Sequence, residues 1–133
     1  MAYENDYILR LIHEVIKTLF KLIFGTDINS SEGELSNLSE SASEKFKKLT
    51  ALLEKGEIND AENILIENMD ASDLDDFRIA LLFYESLNKK DNSFLESHGY
   101  TRREISEGVI YVADLYGYGS IIEAFIKEIE DID

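Results

Sequence analysis

Residues 5–25, NDYILRLIHEVIKTLFKLIFG, place the tightest limit on what this chain can fold into. Ile8, Ile12, Val15, Leu19 and Leu22 recur at spacings of 4, 3, 4 and 3, and Leu11, Ile16, Phe20 and Ile23 widen the stripe. That period gathers them on one face of an α-helix. Arg10, His13, Glu14, Lys17 and Lys21 fall on the other side. As a helix the stretch is about 30 Å long, which matches a bilayer core. Its charges exclude a span, because each central one costs several kcal/mol in hydrocarbon. An apolar face this wide cannot be left in water. It needs a cover: the rest of the chain, a second copy or, third in order, a membrane surface. Ile8, Leu11, Ile12, Val15, Ile16, Leu19, Phe20 and Ile23 are therefore the candidate partner or dimer surface.

The rest of the chain also favours helix. None of its 133 residues is proline, so the strongest helix breaker is missing. Val is scarce relative to Leu, Ile and Glu, which biases against strands. Hydrophobic residues at 44% against 31% charged indicate a globular chain rather than a disordered one, and the length fits one domain. Cysteine is absent, which excludes disulfides, a thiolate nucleophile and Cys-ligated metals. The start is unlike a cleavable signal, so a cytoplasmic location is expected. The formal charge of −15 repels phosphate backbones, so no nucleic-acid partner is expected, while a basic partner is allowed.

Three segments follow from the pattern: an amphipathic helix over 1–25, a serine-rich flexible linker over 26–43 and a helical body over 44–133, one globular domain overall. Six of the eighteen linker residues are serine, with a short turn around Leu35 and Leu38. The body opens at Ser41, with Glu44 in capping-box spacing, and Phe46, Leu49, Leu52 and Leu53 face inward. After a break at Gly56, Ile58, Ala61, Leu65 and Met69 mark the next helix. A long helix from Ser72 or Asp73 to about Lys90 turns Leu74, Phe77, Leu81, Tyr84 and Leu87 inward. A short turn of helix ends on Gly99. Thr101 and Glu104 form a capping box for a helix through Val109, Val112 and Leu115 to Gly117. Ser120 with Glu123 caps the last helix, with Ile122, Phe125 and Ile129 on its inner side. The expectation is an all-α antiparallel bundle of about six helices.

LTALLEKGEINDAENILIENM resembles one tetratricopeptide-type helical hairpin, with Gly56 at the turn and small Ala61 where two helices approach closely. The resemblance covers residues 41–68, and no second copy at that repeat's period is evident. NDYILRLIHEVIKTLFKLIFG, LLEKGEINDAENIL, IALLFYESLNKKDNSFLESHGYTRREISEGV and YGYGSI together resemble a family of small all-helical bacterial proteins grouped as a domain of unknown function. That resemblance implies an all-helical fold. It carries over no activity and no functional residue.

Little in the chain points to chemistry. His13 and His98 are the two histidines, and neither belongs to a zinc motif. The cluster DASDLDD lacks the central Gly and terminal Glu of a calcium loop, so Asp70, Asp73, Asp75 and Asp76 read as helix-start residues. YGYG at 116–119 lacks the lysine and hydroxyl of a phosphate loop and reads as a helix–helix turn. Gly108, expected inside a helix, points to close packing. Tyr84, Tyr100, Tyr111, Tyr116 and Tyr118 gather in the C-terminal half, as core-edge residues or as partner surface. No catalytic residue, cofactor or metal ligand is assigned. The expected role is a non-enzymatic protein-interaction or self-association module, with a homodimer through the first helix as one form. The alternatives are a peripheral membrane protein anchored by that helix, and a small enzyme with an unrecognised helical pocket, which a deep polar pocket around Tyr84, His98 and Tyr111 would favour.

Overall fold

The computed structural model describes residues 2–28 and 37–130. Among them are seven helices and no strand: α1 (Ala2–Phe24), α2 (Glu40–Glu54), α3 (Ile58–Glu67), α4 (Leu74–Asn88), α5 (Asn92–Ser97), α6 (Arg102–Leu115) and α7 (Gly119–Glu130). The fold is all-α, and the helices pack as a bundle around α4.

α4 is central because it is apolar nearly all round. Phe77, Ile79 to Glu85, Leu87 and Asn88 are buried, which takes in more than one face of the helix. A helix of that kind needs neighbours on several sides. α1, α2 and α6 pack on it, and α7 closes against α1 and α6. Leu74, expected to face inward, is 50% exposed at the solvent end of α4. Leu115 is likewise exposed at the end of α6. Periodicity assigns a face but not the depth at which a helix end emerges.

The helix ends follow local chemistry. Asp73 caps α4 by accepting the Asp75 N–H at 2.9 Å. Thr101 and Glu104 form the reciprocal capping box expected for α6. Gly25, Gly56, Gly99 and Gly117 all have positive φ at helix ends, the conformation that glycine adopts without strain. Three boundaries differ from expectation. α1 begins at Ala2, so Asn5 and Asp6 lie within it. α2 begins at Glu40, inside the span read as linker, because the Ser39 hydroxyl rather than that of Ser41 accepts the Ala42 N–H at 3.2 Å. α7 begins at Gly119, with the Tyr118 carbonyl accepting from Ile121 and Ile122, so Ser120 is not its cap. Leu38 packs against the core. Leu35 and the side chains of Phe125 and Ile129 lie outside the described residues.

An aromatic chain joins three elements of the bundle. Phe20, Phe24 and Phe77 meet at 5.2 and 6.4 Å between ring centroids, and Phe77 stacks on Tyr116 at 4.4 Å and 7°. Tyr118 stacks on the same ring at 5.8 Å. The Tyr116 hydroxyl donates to the carbonyls of Asp70 and Asp73, at 2.7 and 2.9 Å, and so clasps the loop that leads into α4. This is the role of YGYG: a turn whose two tyrosines seal one end of the core.

Candidate functional site

The candidate partner surface on α1 is occupied by the chain itself. Ile8, Ile12, Val15, Ile16, Leu19 and Phe20 are each at most 4% exposed, and Ile23 packs against the same core. Leu11 is half-buried. Of the three covers the stripe could have, the body of the protein is the one in place. Packing against α4, α6 and α7 takes up most of this surface, and Leu11 and Ile23 keep part of theirs exposed. Leu22, at 59% exposure, is the stripe residue left out.

An open surface of similar apolar character lies instead between α2 and α3. Residues 55–57 turn the chain back on itself, so the two helices run side by side, with α2 packed on α4. Between them is a groove of about 410 Å³, within the size range of ligand pockets. Leu49, Leu65 and Ile79 form its buried floor, while Leu52 and Met69 are half-buried in its walls. Ile64 stands 45% exposed on the α3 side, and Ala51 is too small to fill the space beside it. Lys45, Lys48, Lys55, Asn68 and Asp76 complete the lining.

The groove exists because α2 carries two adjacent stripes. Ala42, Phe46, Leu49 and Leu53, at spacings of 4, 3 and 4, are buried in the core. Lys45, Lys48, Leu52 and Lys55, at spacings of 3, 4 and 3, form a parallel row one step round the helix. The inner row is legible by its hydrophobicity, but Leu52, expected to face inward with it, stands half-buried in the outer row. The outer row has the same period, but its lysines read as ordinary surface.

The electrostatics of this rim are unusual for a chain of net charge −15. Lys45 pairs with Asp76 at 3.2 Å, and the other Asp76 oxygen accepts the Asp70 N–H at 2.9 Å. Among the described residues neither Lys48 nor Lys55 has an ion-pair partner. Lys55 ends α2, where the helix dipole favours a cation. Lys48 lies two turns earlier and has no such local reason to be basic.

A second cavity, of about 310 Å³, collects Tyr84, Tyr100 and Tyr111 with Glu62, Glu104, Glu107 and Gly108. The phenols of Tyr84 and Tyr100 donate to the two oxygens of Glu62, at 2.7 and 2.9 Å. Burial, reinforced by the Glu62 carboxylate, pushes both phenols well above their ordinary value, so they remain donors. Gly108 is the close-packing point expected from sequence. A Cβ there would run into the Tyr84 ring. His98 does not join this cavity: its Nδ1–H donates to the Phe94 carbonyl at 2.7 Å, and its ring covers Gly56.

With this geometry in view, the comparison that places the chain is a family model matching residues 2–117, from the start of α1 to the turn after α6. The chain belongs to a family of unknown function, DUF6483. A search of the curated proteins and one of the solved structures found no match. The matched span of this DUF6483 chain takes in both cavities and the α2–α3 hairpin.

The acidic cluster of the DUF6483 chain is used in building it. Asp70 accepts from the Ser72 hydroxyl at 2.7 Å and from its N–H at 2.9 Å, which hold its carboxyl below the usual value. Asp73 caps α4, and Asp76 links the Asp70 backbone to Lys45. Among the described residues no group of three or more His, Asp or Glu is placed to hold a metal ion. No described helix is long and apolar enough to cross a membrane.

Sequence reasoning missed two polar contacts that fasten α1 and α6 to α4. His13 Nδ1 lies 2.7 Å from Glu85 Oε2, and the Glu85 side chain is 3% exposed. Its other oxygen is buried without a partner. Replacing His13 with Ala strands the whole carboxylate. We expect a loss of about 2–3 kcal/mol in urea unfolding, below the full cost of breaking a buried pair because His13 itself is 41% exposed. His13→Ala with Glu85→Gln should recover part of it, since a neutral amide is cheaper to bury. Equal stability of wild type and His13→Ala would remove this role. The second contact, made by Arg102, is larger and joins α6 to the end of α4.

Proposed function

We propose that this DUF6483 protein is a non-enzymatic protein-interaction module and that the groove between α2 and α3 is its docking surface. One observation carries the reading: an apolar groove of about 410 Å³, open to solvent and rimmed by lysines, on a protein whose α1 stripe is largely buried in its own core. Apolar burial drives such docking, and the charged rim sets orientation and selection. Binding along a helical hairpin also goes with the tetratricopeptide-type resemblance of residues 41–68. A cytoplasmic setting suits the reading. Anchoring on a membrane through α1 is disfavoured, because its apolar face would first have to leave the core.

The test is backbone NMR of the full chain titrated with a short amphipathic helical peptide that presents leucines on one face and glutamine elsewhere. The expected result is saturable shift changes at Leu49, Leu52, Ile64 and Met69, abolished by Leu52→Asp. Absence of binding by this peptide and by its charged counterparts below would reject the module.

A further inference from the structure

We propose that the groove selects an acidic amphipathic helix, one whose carboxylates lie two turns apart beside an apolar stripe; this rests on the docking role of the same groove. Three observations converge on it. The first is charge. The chain carries 28 acidic and 13 basic residues, yet the groove is lined by three lysines and one acid, and that acid, Asp76, is already engaged by Lys45 and the Asp70 N–H. The second is availability. With so much carboxylate on the chain, Lys48 and Lys55 still have no ion-pair partner among the described residues.

The third is spacing. Lys48 and Lys55 are seven residues apart on one face of α2, with Leu52 between them. Seven residues of helix rise about 10.5 Å. A partner helix laid along the groove repeats that interval in its own i and i+7 positions, so two of its carboxylates can meet both ammonium groups at once. Its intervening apolar residues, at i+3 and i+4, then reach Leu52, Ile64 and Met69. An extended segment rises roughly twice as far per residue and sends alternate side chains to opposite faces, so it offers this pairing less well. The net charge of the protein also sharpens selection. An acidic peptide without an apolar stripe is repelled by the molecule as a whole, so charge alone does not bind it.

The experiment compares four probes against the full chain by fluorescence anisotropy at physiological salt. Three are amphipathic helical peptides with the same leucine stripe, carrying Glu, Gln or Lys at the paired flanking positions. The fourth is dodecanoate, an alkyl anion, scored directly by backbone NMR shifts at Leu49, Leu52, Ile64 and Met69. The expected order is Glu tighter than Gln tighter than Lys, with about tenfold between the first and last, the size expected for two exposed charge contacts. Lys48→Glu with Lys55→Glu, both on exposed positions, should reverse the order, and circular dichroism will show that the variant keeps its helices. Equal binding of all three peptides overturns the acidic partner while leaving the docking groove intact. Binding by none of them overturns both. Binding of dodecanoate with no peptide bound overturns both in favour of a small amphiphile.

Discussion

Raising the pH from about 10 to about 12 is expected to remove about 5 kcal/mol of stability through Tyr84 and Tyr100 alone. Both side chains are buried, and both hydroxyls donate to the one carboxylate of Glu62. Burial and that neighbouring charge oppose the phenolate, so both groups ionise only well above the ordinary phenol range in the folded chain. The unfolded chain has no such restraint and releases these protons from about pH 10. Above that pH the folded state binds more protons than the unfolded state, so stability falls as pH rises. The contribution is intact below the unfolded value. Each phenol removes about 1.4 kcal/mol per pH unit, against a total stability of about 5–15 kcal/mol for a domain of this kind. Tyr116, half-buried and also shifted upward, adds a smaller part. Urea unfolding at a series of alkaline pH values gives the slope. The Tyr84→Phe, Tyr100→Phe variant should show a much shallower one whatever its stability at neutral pH. The same slope in both proteins would refute the assignment.

Replacing Arg102 with Ala is expected to cost about 3–4 kcal/mol, although this residue opens a helix and looks like surface in the sequence. The side chain is 3% exposed. Its guanidinium donates to the Asn88 carbonyl at 2.6 Å, to the Asn88 and Asn92 side chains at 3.2 Å, and to the Lys90 carbonyl. Those carbonyls end α4 and begin the following turn, where intrahelical partners run out. Asn88 in turn donates to the Leu9 carbonyl at 2.9 Å, so one arginine ties α6 to α4 and, through Asn88, to α1. Burial pushes the guanidinium somewhat below its usual value, with Asp6 and Asp91 acting against that shift, and it remains charged. Arg102→Lys should recover less than half of the loss, because an ammonium group cannot present the planar fork that reaches several acceptors. Denaturant unfolding of the three proteins decides this. Full rescue by lysine would show that charge alone, and not the fork, is what the site needs.

The acidic and glycine-rich motifs keep their local meaning in the fold. Asp73, Thr101 and the glycines at helix ends act within a few residues of themselves, so their roles are legible from neighbouring residues alone. Gly108 is legible as a close-packing point, but its partner Tyr84 lies 24 positions away, and nothing near Gly108 names it. The polar tethers are hidden for the same reason. His13 reaches Glu85 across 72 residues, Asn88 reaches Leu9 across 79, and Tyr116 reaches Asp70 across 46. His13 falls on the polar side of its helix in the sequence and Tyr116 reads as core-edge or partner surface, because a polar side chain announces its type and not its partner.

The groove shows the same division in one helix. That α2 is helical, and which row of it is buried, follows from the chain, since hydrophobic period and capping are properties of neighbouring residues. The need for a cover over the α1 stripe follows in the same way. What supplies that cover is settled by tertiary packing. α4 is apolar on several faces, and the bundle satisfies it by drawing α1, α2 and α6 around it, which uses the α1 stripe inside the molecule. The remaining opening falls between α2 and α3, where Ala51 is small and the lysine row stands at the edge. Which apolar face stays accessible is a result of how all the helices share one core. No single segment carries that information, because burial is a relation between segments.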